Sequence, residues 1–172
     1  MRQLPLWRYG RAAAYKFARD RFLCAKAYLM LCDVLSSSCG ISEQPEFAYG
    51  LSGKPFLKDH PDIHFNLSHC PRAVACIVAD HPAGIDVESI QFDGEVARKV
   101  LSDAELHQVL TSPAPEVEFT KLWTKKEALL KKRGTGLADD LPGLLNGHTE
   151  SLETTVFAND GFVMTIASGH EC

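Results

Sequence analysis

Apolar residues recur at three- and four-residue steps near the N-terminus, with Phe17, Cys24, Tyr28, Leu31 and Leu35 in one series that also takes in Arg21. That spacing predicts a long helix over residues 11–36, ended by the serines and glycine of Ser36–Gly40. Residues 41–62 lose the period and carry Gly50, Gly53, Pro55 and Pro61, which predicts short strands and turns. His64–Leu67 is a short strand candidate, and Ala73–Ala79 (AVACIVA) reads as a buried strand. A turn at Asp80–Gly84 leads into Ile85–Glu88, expected to run antiparallel to residues 73–79. Helical spacing returns over 93–110, with Ser102 as an internal break and N-cap before Asp103–Leu110. Thr111–Pro115 reads as a loop, and Glu116–Arg133 as a helix stopped by Gly134. Residues 137–148 are loop-rich, and Ser151–Phe157 and Phe162–Ala167 predict two strands around Asn159-Asp160-Gly161. Each half of the chain thus runs roughly helix first, strands second.

Composition narrows the class. In 172 residues, 45% are apolar and 23% charged, so one domain with a sizeable core is expected and global disorder is excluded. Met1–Arg11 holds three arginines and no apolar run, unlike a signal peptide, and Leu23–Leu35 is short and broken by Lys26 and Asp33. A cytoplasmic protein with no membrane span is expected. The six cysteines show no CxxC spacing and no histidine-paired cluster, so reduced thiols are expected rather than a zinc site.

The net charge of −4 argues against a general nucleic-acid binder, but the charge is uneven. Residues 1–26 carry +6 and residues 121–133 carry +5, which leaves −15 on the remainder. Two basic segments in an acidic chain suit an anionic partner, and suit solvated helix faces equally well.

Four segments carry chemistry. In Gly84-Ile-Asp-Val-Glu88, Asp86 and Glu88 share one strand face while Ile85 and Val87 share the other. Two such carboxylates suit a divalent cation, or a merely exposed polar face. Glu127 and Lys131 lie four apart on one helix face with Trp123 a turn earlier. They suit a metal ligand or proton acceptor beside a charge-stabilising lysine, or an ordinary surface pair. Ser68-His69 precedes Pro71 at a strand end, where it suits a phosphate contact or a turn cap. Gly53-Lys54-Pro55 is a turn that can bring an ammonium to an anion.

Taken together and in order, GKP at 53–55, FNLSH at 65–69, GIDVE at 84–88 and WTKKEALLKKRGTGL at 123–137 closely resemble the 4′-phosphopantetheinyl transferases of the larger Sfp type. The resemblance covers about residues 11–167. It implies an α+β fold of two pseudo-two-fold-related α/β lobes, about 1–90 and 91–172, with the active site in the cleft between them. It implies transfer of phosphopantetheine from coenzyme A to a carrier-protein serine, with release of adenosine 3′,5′-bisphosphate.

By motif, Asp86, Glu88 and Glu127 would ligate Mg²⁺, with Mn²⁺ as an alternative, and Glu127 would also act as base. Lys131 and Lys126 would stand near the pyrophosphate and pantetheine. Ser68 and His69 would contact CoA phosphate, Gly53, Lys54 and Pro55 the adenine nucleotide, and Lys26 the 3′-phosphate. An acyl or peptidyl carrier protein is the expected partner, acting with a monomer. Against the family pattern, the strand usual before the basic helix is missing or very short, and Cys70 stands where serine is frequent. A CoA- or carrier-binding module without turnover, and a Mg²⁺-dependent hydrolase of CoA or nucleotides, are the alternatives.

Overall fold

The computed structural model describes residues 4–136 and 140–169. Expectations that fall on Arg2, on residues 137–139 or on Cys172 lie outside the described residues. The N-terminal periodicity is split in two, as helices α1 (Leu6–Ala13) and α2 (Ala18–Cys39), where one helix over 11–36 was expected. The break has a local cause. Phe17 is extended at φ −97° and ψ 140°, and the Arg21 guanidinium satisfies the freed Tyr15 carbonyl at 2.7 Å. Gly40 stops α2 in the left-handed region, φ 71°, where a side chain would be strained.

Strands β1 (Phe47–Tyr49) and β2 (Pro55–Leu57) form a small hairpin. Strands β3 (His64–Cys70) and β4 (Ala73–Ala79) form a longer one, in register from His64↔Ala79 to Cys70↔Ala73. The strand expected at 64–67 therefore continues to Cys70. Helix α2 is long and apolar enough, by length and composition, to cross a bilayer. In this fold its apolar face packs on β3 and β4. Leu31 and Leu35 from that face join Ile41, Leu57 and Phe65 in one core cluster.

Strand β5 (Gly84–Ser89) corrects an expectation, because its ladder partner is not β4. After helices α3 (Gly94–Val100), α4 (Asp103–Thr111) and α5 (Pro115–Arg133), the chain adds β6 (Ser151–Phe157) and β7 (Phe162–Ser168) in a sheet of order β5–β7–β6. The other edge of β5 meets β3 through side chains. Asn66 Oδ1 accepts from the Ile85 amide and Ser68 Oγ from the Val87 amide, each at 3.3 Å. Those two polar side chains satisfy the amides that a β4 partner would otherwise take.

The break foreseen at Ser102 is a full capping box with Glu105. Helix α5 lies across β5 and β7 at very short range. A Cβ on Gly84 would fall 2.0 Å from the Ala128 carbonyl oxygen and 2.5 Å from the Lys132 amide. The Gly84 contact fixes how α5 sits on the sheet, and with it the positions of Glu127 and Lys131.

Two substitutions test the contacts that hold α5 in place. Gly84→Ala must push α5 off β5 and is expected to cost about 3 kcal/mol, read as a lower urea midpoint. A midpoint like that of the wild type would show that the helix can shift at little cost. Second, Arg133 grips Glu150 bidentately at 2.9 and 3.2 Å and holds its carboxyl down at about 2. A folded-state pKa below the unfolded value adds stability above about pH 4, lost as pH falls toward 2. Screened by solvent, the pair is worth about 1 kcal/mol. The stability gap between wild type and Glu150→Gln should therefore close between about pH 5 and pH 2.

Candidate active site

The alternation of β5 sends Ile85 and Val87 into a core with Cys70 and Ala75. The other face, with Gly84, Asp86 and Glu88, lies under α5. Asp86 is only 2% exposed. Its Oδ1 receives the Lys131 ammonium at 2.5 Å and the Ser68 hydroxyl at 2.8 Å, and Lys131 also donates to Ser68 Oγ at 2.9 Å. One buried carboxylate thus ties β3, β5 and α5 together. Asp86 Oδ2 is buried with no partner.

Glu88 and Glu127 feel the same negative field. Burial, then Asp86, pushes the Glu88 carboxyl up to about 7, while Lys131 pulls the other way. The Trp123 indole donates a hydrogen bond to Glu88. Burial and Asp86 also raise Glu127. One ammonium therefore faces three carboxyl groups, which leaves negative charge to be met by a cation. Among the described residues, no group of three or more His, Cys, Asp or Glu side chains closes round a single point. The chemistry of the donors still fits a hard divalent ion: carboxylate oxygens, one of them buried and unpartnered.

A cleft of about 340 Å³ opens beside this cluster, with Gly53, Lys54, Pro55, Asn66, Glu127 and Lys131 among its walls. Gly134 lets Lys54 lie across the end of α5, since a Cβ there would meet the Lys54 side chain at 2.7 Å. The Lys54 ammonium donates to the Lys132 carbonyl at 2.8 Å. A second hollow of about 230 Å³ also touches Lys131 and is lined by His69, Arg8 and Arg11. There His69 stands edge-on to Tyr15, ring centres 6.1 Å apart, and burial lowers its pKa. The structure thus brings together Gly53, Lys54, Pro55, Ser68, His69, Asp86, Glu127 and Lys131, with Glu88 adjoining.

A family model for the 4′-phosphopantetheinyl transferase superfamily matches residues 82–165, the stretch that carries Asp86, Glu88, Glu127 and Lys131. The 4′-phosphopantetheinyl transferase Sfp of Bacillus subtilis (strain 168) is 30% identical over 135 residues, covering 69% of this chain and 60% of the relative. The transferase psf-1 of Bacillus pumilus is 36% identical over 117 residues, covering 66% of this chain and 50% of the relative. A further 4′-phosphopantetheinyl transferase from Bacillus subtilis is 29% identical over 168 residues, covering 87% of this chain and 70% of the relative. The chain belongs to the 4′-phosphopantetheinyl transferase superfamily. It spans only half to seven-tenths of the length of these superfamily relatives.

Two residues assigned from the superfamily motifs lie elsewhere. Lys126 is 0% exposed and points away from the cleft. Its ammonium is occupied by Glu105 at 3.0 Å and by the carbonyls of Leu141 and Pro142 at 2.8 and 3.3 Å. It holds α4 and the 141–142 turn against α5. Lys26 is exposed on α2 and lines none of the hollows described above.

The basic N-terminus reaches the site through Arg8 instead. Arg8 is 6% exposed, donates to the Cys24 carbonyl at 3.1 Å, and lies 5.4 Å from the centre of the Tyr28 ring. Its Nε is buried without a partner. Arg8 and Arg11 were counted among the basic residues but not singled out. Their three-residue spacing was the available signal.

Because the Lys126 ammonium is structural, Lys126→Met should cost about 3 kcal/mol, leaving Glu105 without its counter-charge and two carbonyls without their donor. Urea unfolding checks this. A variant as stable as the wild type would free Lys126 for another role.

Proposed function

We propose that this protein transfers the 4′-phosphopantetheine group of coenzyme A to a serine hydroxyl of an acyl or peptidyl carrier protein, with Mg²⁺, releasing adenosine 3′,5′-bisphosphate. The observation that carries the reading is the Asp86–Ser68–Lys131 cluster, set beside Glu127 in the wall of a cleft that also holds Lys54. Such a site is built for a substrate with several negative charges.

On this reading the two halves act as related lobes. One contributes α2 on the β3–β4 hairpin, the other α5 on the β5–β7–β6 sheet, and the cleft draws its walls from both. Asp86, Glu88 and Glu127 would hold Mg²⁺, which when bound supplies charge neutralisation at the pyrophosphate. Arg8, Arg11 and His69 would bind the nucleotide's phosphates, and Lys54 with the Gly53–Pro55 turn would flank the nucleotide.

Glu127 takes the proton from the carrier serine, directly or through water, and its raised pKa makes it a stronger base than an exposed carboxylate. The serine oxygen forms a bond to the β-phosphorus of CoA. The bond from that phosphorus to the bridging oxygen breaks, and the bridging oxygen leaves on adenosine 3′,5′-bisphosphate. Lys131 stabilises the charge that builds on the non-bridging oxygens.

The test is the intact mass of an apo carrier protein incubated with this protein, CoA and Mg²⁺. A gain of one phosphopantetheine group, abolished by EDTA, is expected. Free phosphopantetheine without carrier labelling would make the protein a hydrolase, and CoA binding without either product a binding module. Glu127→Gln should still bind CoA while transfer falls at least about 100-fold. Undiminished turnover would remove Glu127 from the chemistry.

A further inference from the structure

A further hollow, of about 380 Å³, opens at the C-terminal end of α5 and takes no part in the roles assigned so far. Its walls include Lys132 and Arg133 of α5, Lys54 and Phe56 of the β1–β2 hairpin, His64 at the start of β3 and Pro82 in the turn before β5. Its volume falls at the lower end of the range of small-ligand pockets, about 300 to 1,000 Å³.

The walls carry cations and no acid. Among the described residues that line the hollow, none is an aspartate or a glutamate. Part of this charge is already answered. Arg133 holds Glu150 bidentately. Lys54 gives one of the three donors of its ammonium to the Lys132 carbonyl at 2.8 Å, which also meets the negative end of the α5 dipole. The two lysines remain set against each other. Lys132 is only 3% exposed. Burial, and then the Lys132 charge, lowers the pKa of Lys54. Two ammonium groups drawn out of water side by side repel, and an anion between them relieves both costs. The condition of the acid cluster is repeated here with the sign reversed.

The other walls are apolar. Phe56 is 40% exposed and stands with Pro82 beside the two lysines. An accessible ring next to paired cations suits a ligand with an anionic end and a flat apolar body.

We infer that this hollow is a second anion site, for a phosphate ester that carries a flat ring, with Lys54 and Lys132 on the phosphate and Phe56 against the ring. The inference does not depend on the transferase reading, although Lys54 also lines the cleft.

Phenyl phosphate and inorganic phosphate, each titrated without Mg²⁺ at constant pH and followed by NMR of the histidine ring protons, test it. His64 lines this hollow and His69 the one beside Arg8 and Arg11, so the two rings report which hollow fills. His64→Gln and His69→Gln assign the two signals. Phenyl phosphate should move the His64 signal to saturation, and Lys132→Gln should weaken that titration about tenfold. Phe56→Ala removes a partly exposed side chain, and should weaken phenyl phosphate about threefold while leaving inorganic phosphate unchanged.

A His64 signal that stays still while His69 moves would put the phosphate in the other hollow and overturn the inference. So would equal affinity in the wild type and Lys132→Gln, with melting curves showing the variant folded. If that variant does not fold, a His64 signal unmoved in the wild type is still decisive against the site. Equal affinity for the two probes, unchanged by Phe56→Ala, would overturn the ring and leave inorganic phosphate as the ligand.

Discussion

The site depends on one buried carboxylate and the two side chains that hold it. Asp86 comes from β5, Ser68 from β3 and Lys131 from α5, and the three atoms lie within 2.9 Å of one another. Desolvating a carboxylate and an ammonium together costs several kcal/mol, which their attraction only partly offsets. Such a pair is weak evidence for stability and better evidence for use. What it secures is registry. The helix with Glu127, the strand with Glu88 and the hairpin with His69 cannot drift apart without leaving Asp86 alone in the interior. The glycine at 84 makes the arrangement possible, because any side chain there would stand where the α5 backbone now lies.

The same pair leaves the local charge unbalanced. Lys131 compensates Asp86 at one oxygen, while the other is buried with nothing against it, and both glutamates are pushed toward the neutral acid. If the cluster existed only to hold the fold, Lys131 and Ser68 would suffice and the glutamates could be amides or apolar. Keeping three acids around one ammonium is unfavourable until something cationic is added. The hollows toward Arg8 and Lys54 are short of negative charge in the same sense. A ligand that carries its own cation, as a Mg²⁺-bound pyrophosphate would, meets both deficits at once.

What could be read from the sequence was what depends on short range. Period-two alternation put Asp86 and Glu88 on one face, because successive strand residues point oppositely whatever the partner. Glycine and a run of cations marked the end of α5 at Gly134, and the Asn-Asp-Gly turn marked the β6–β7 hairpin. The partner of β5 was not legible. A tight turn after Ala79 argues for pairing with β4, and only the folded chain shows Asn66 and Ser68 occupying that edge while β7 arrives from some 80 residues later. The break between α1 and α2 was equally hidden. No proline or glycine marks it, and an arginine side chain satisfies the opened backbone. Lys126 was misplaced for a simpler reason: it sits about 100° round the helix from Glu127, so the two cannot both face the cleft.

Arg8 shows what folding adds to a count of charges at the N-terminus. Counting gives seven basic residues before position 27, with nothing to rank them. Folding ranks them by burial. Lys26 stays in water, where an ammonium is well hydrated and gains little by waiting for a ligand. Arg8 is drawn inside, laid by the Tyr28 ring and left one donor short. Arginine tolerates that position better than lysine, because its planar, weakly hydrated guanidinium stacks on an aromatic face and still presents donors along its edge. Its remaining donor is most valuable to an anion already oriented by Lys131 and Arg11, the other cationic side chains of that hollow. On the transferase reading, the basic character of the first helix bears on phosphate binding through Arg8 and Arg11, which both line that hollow.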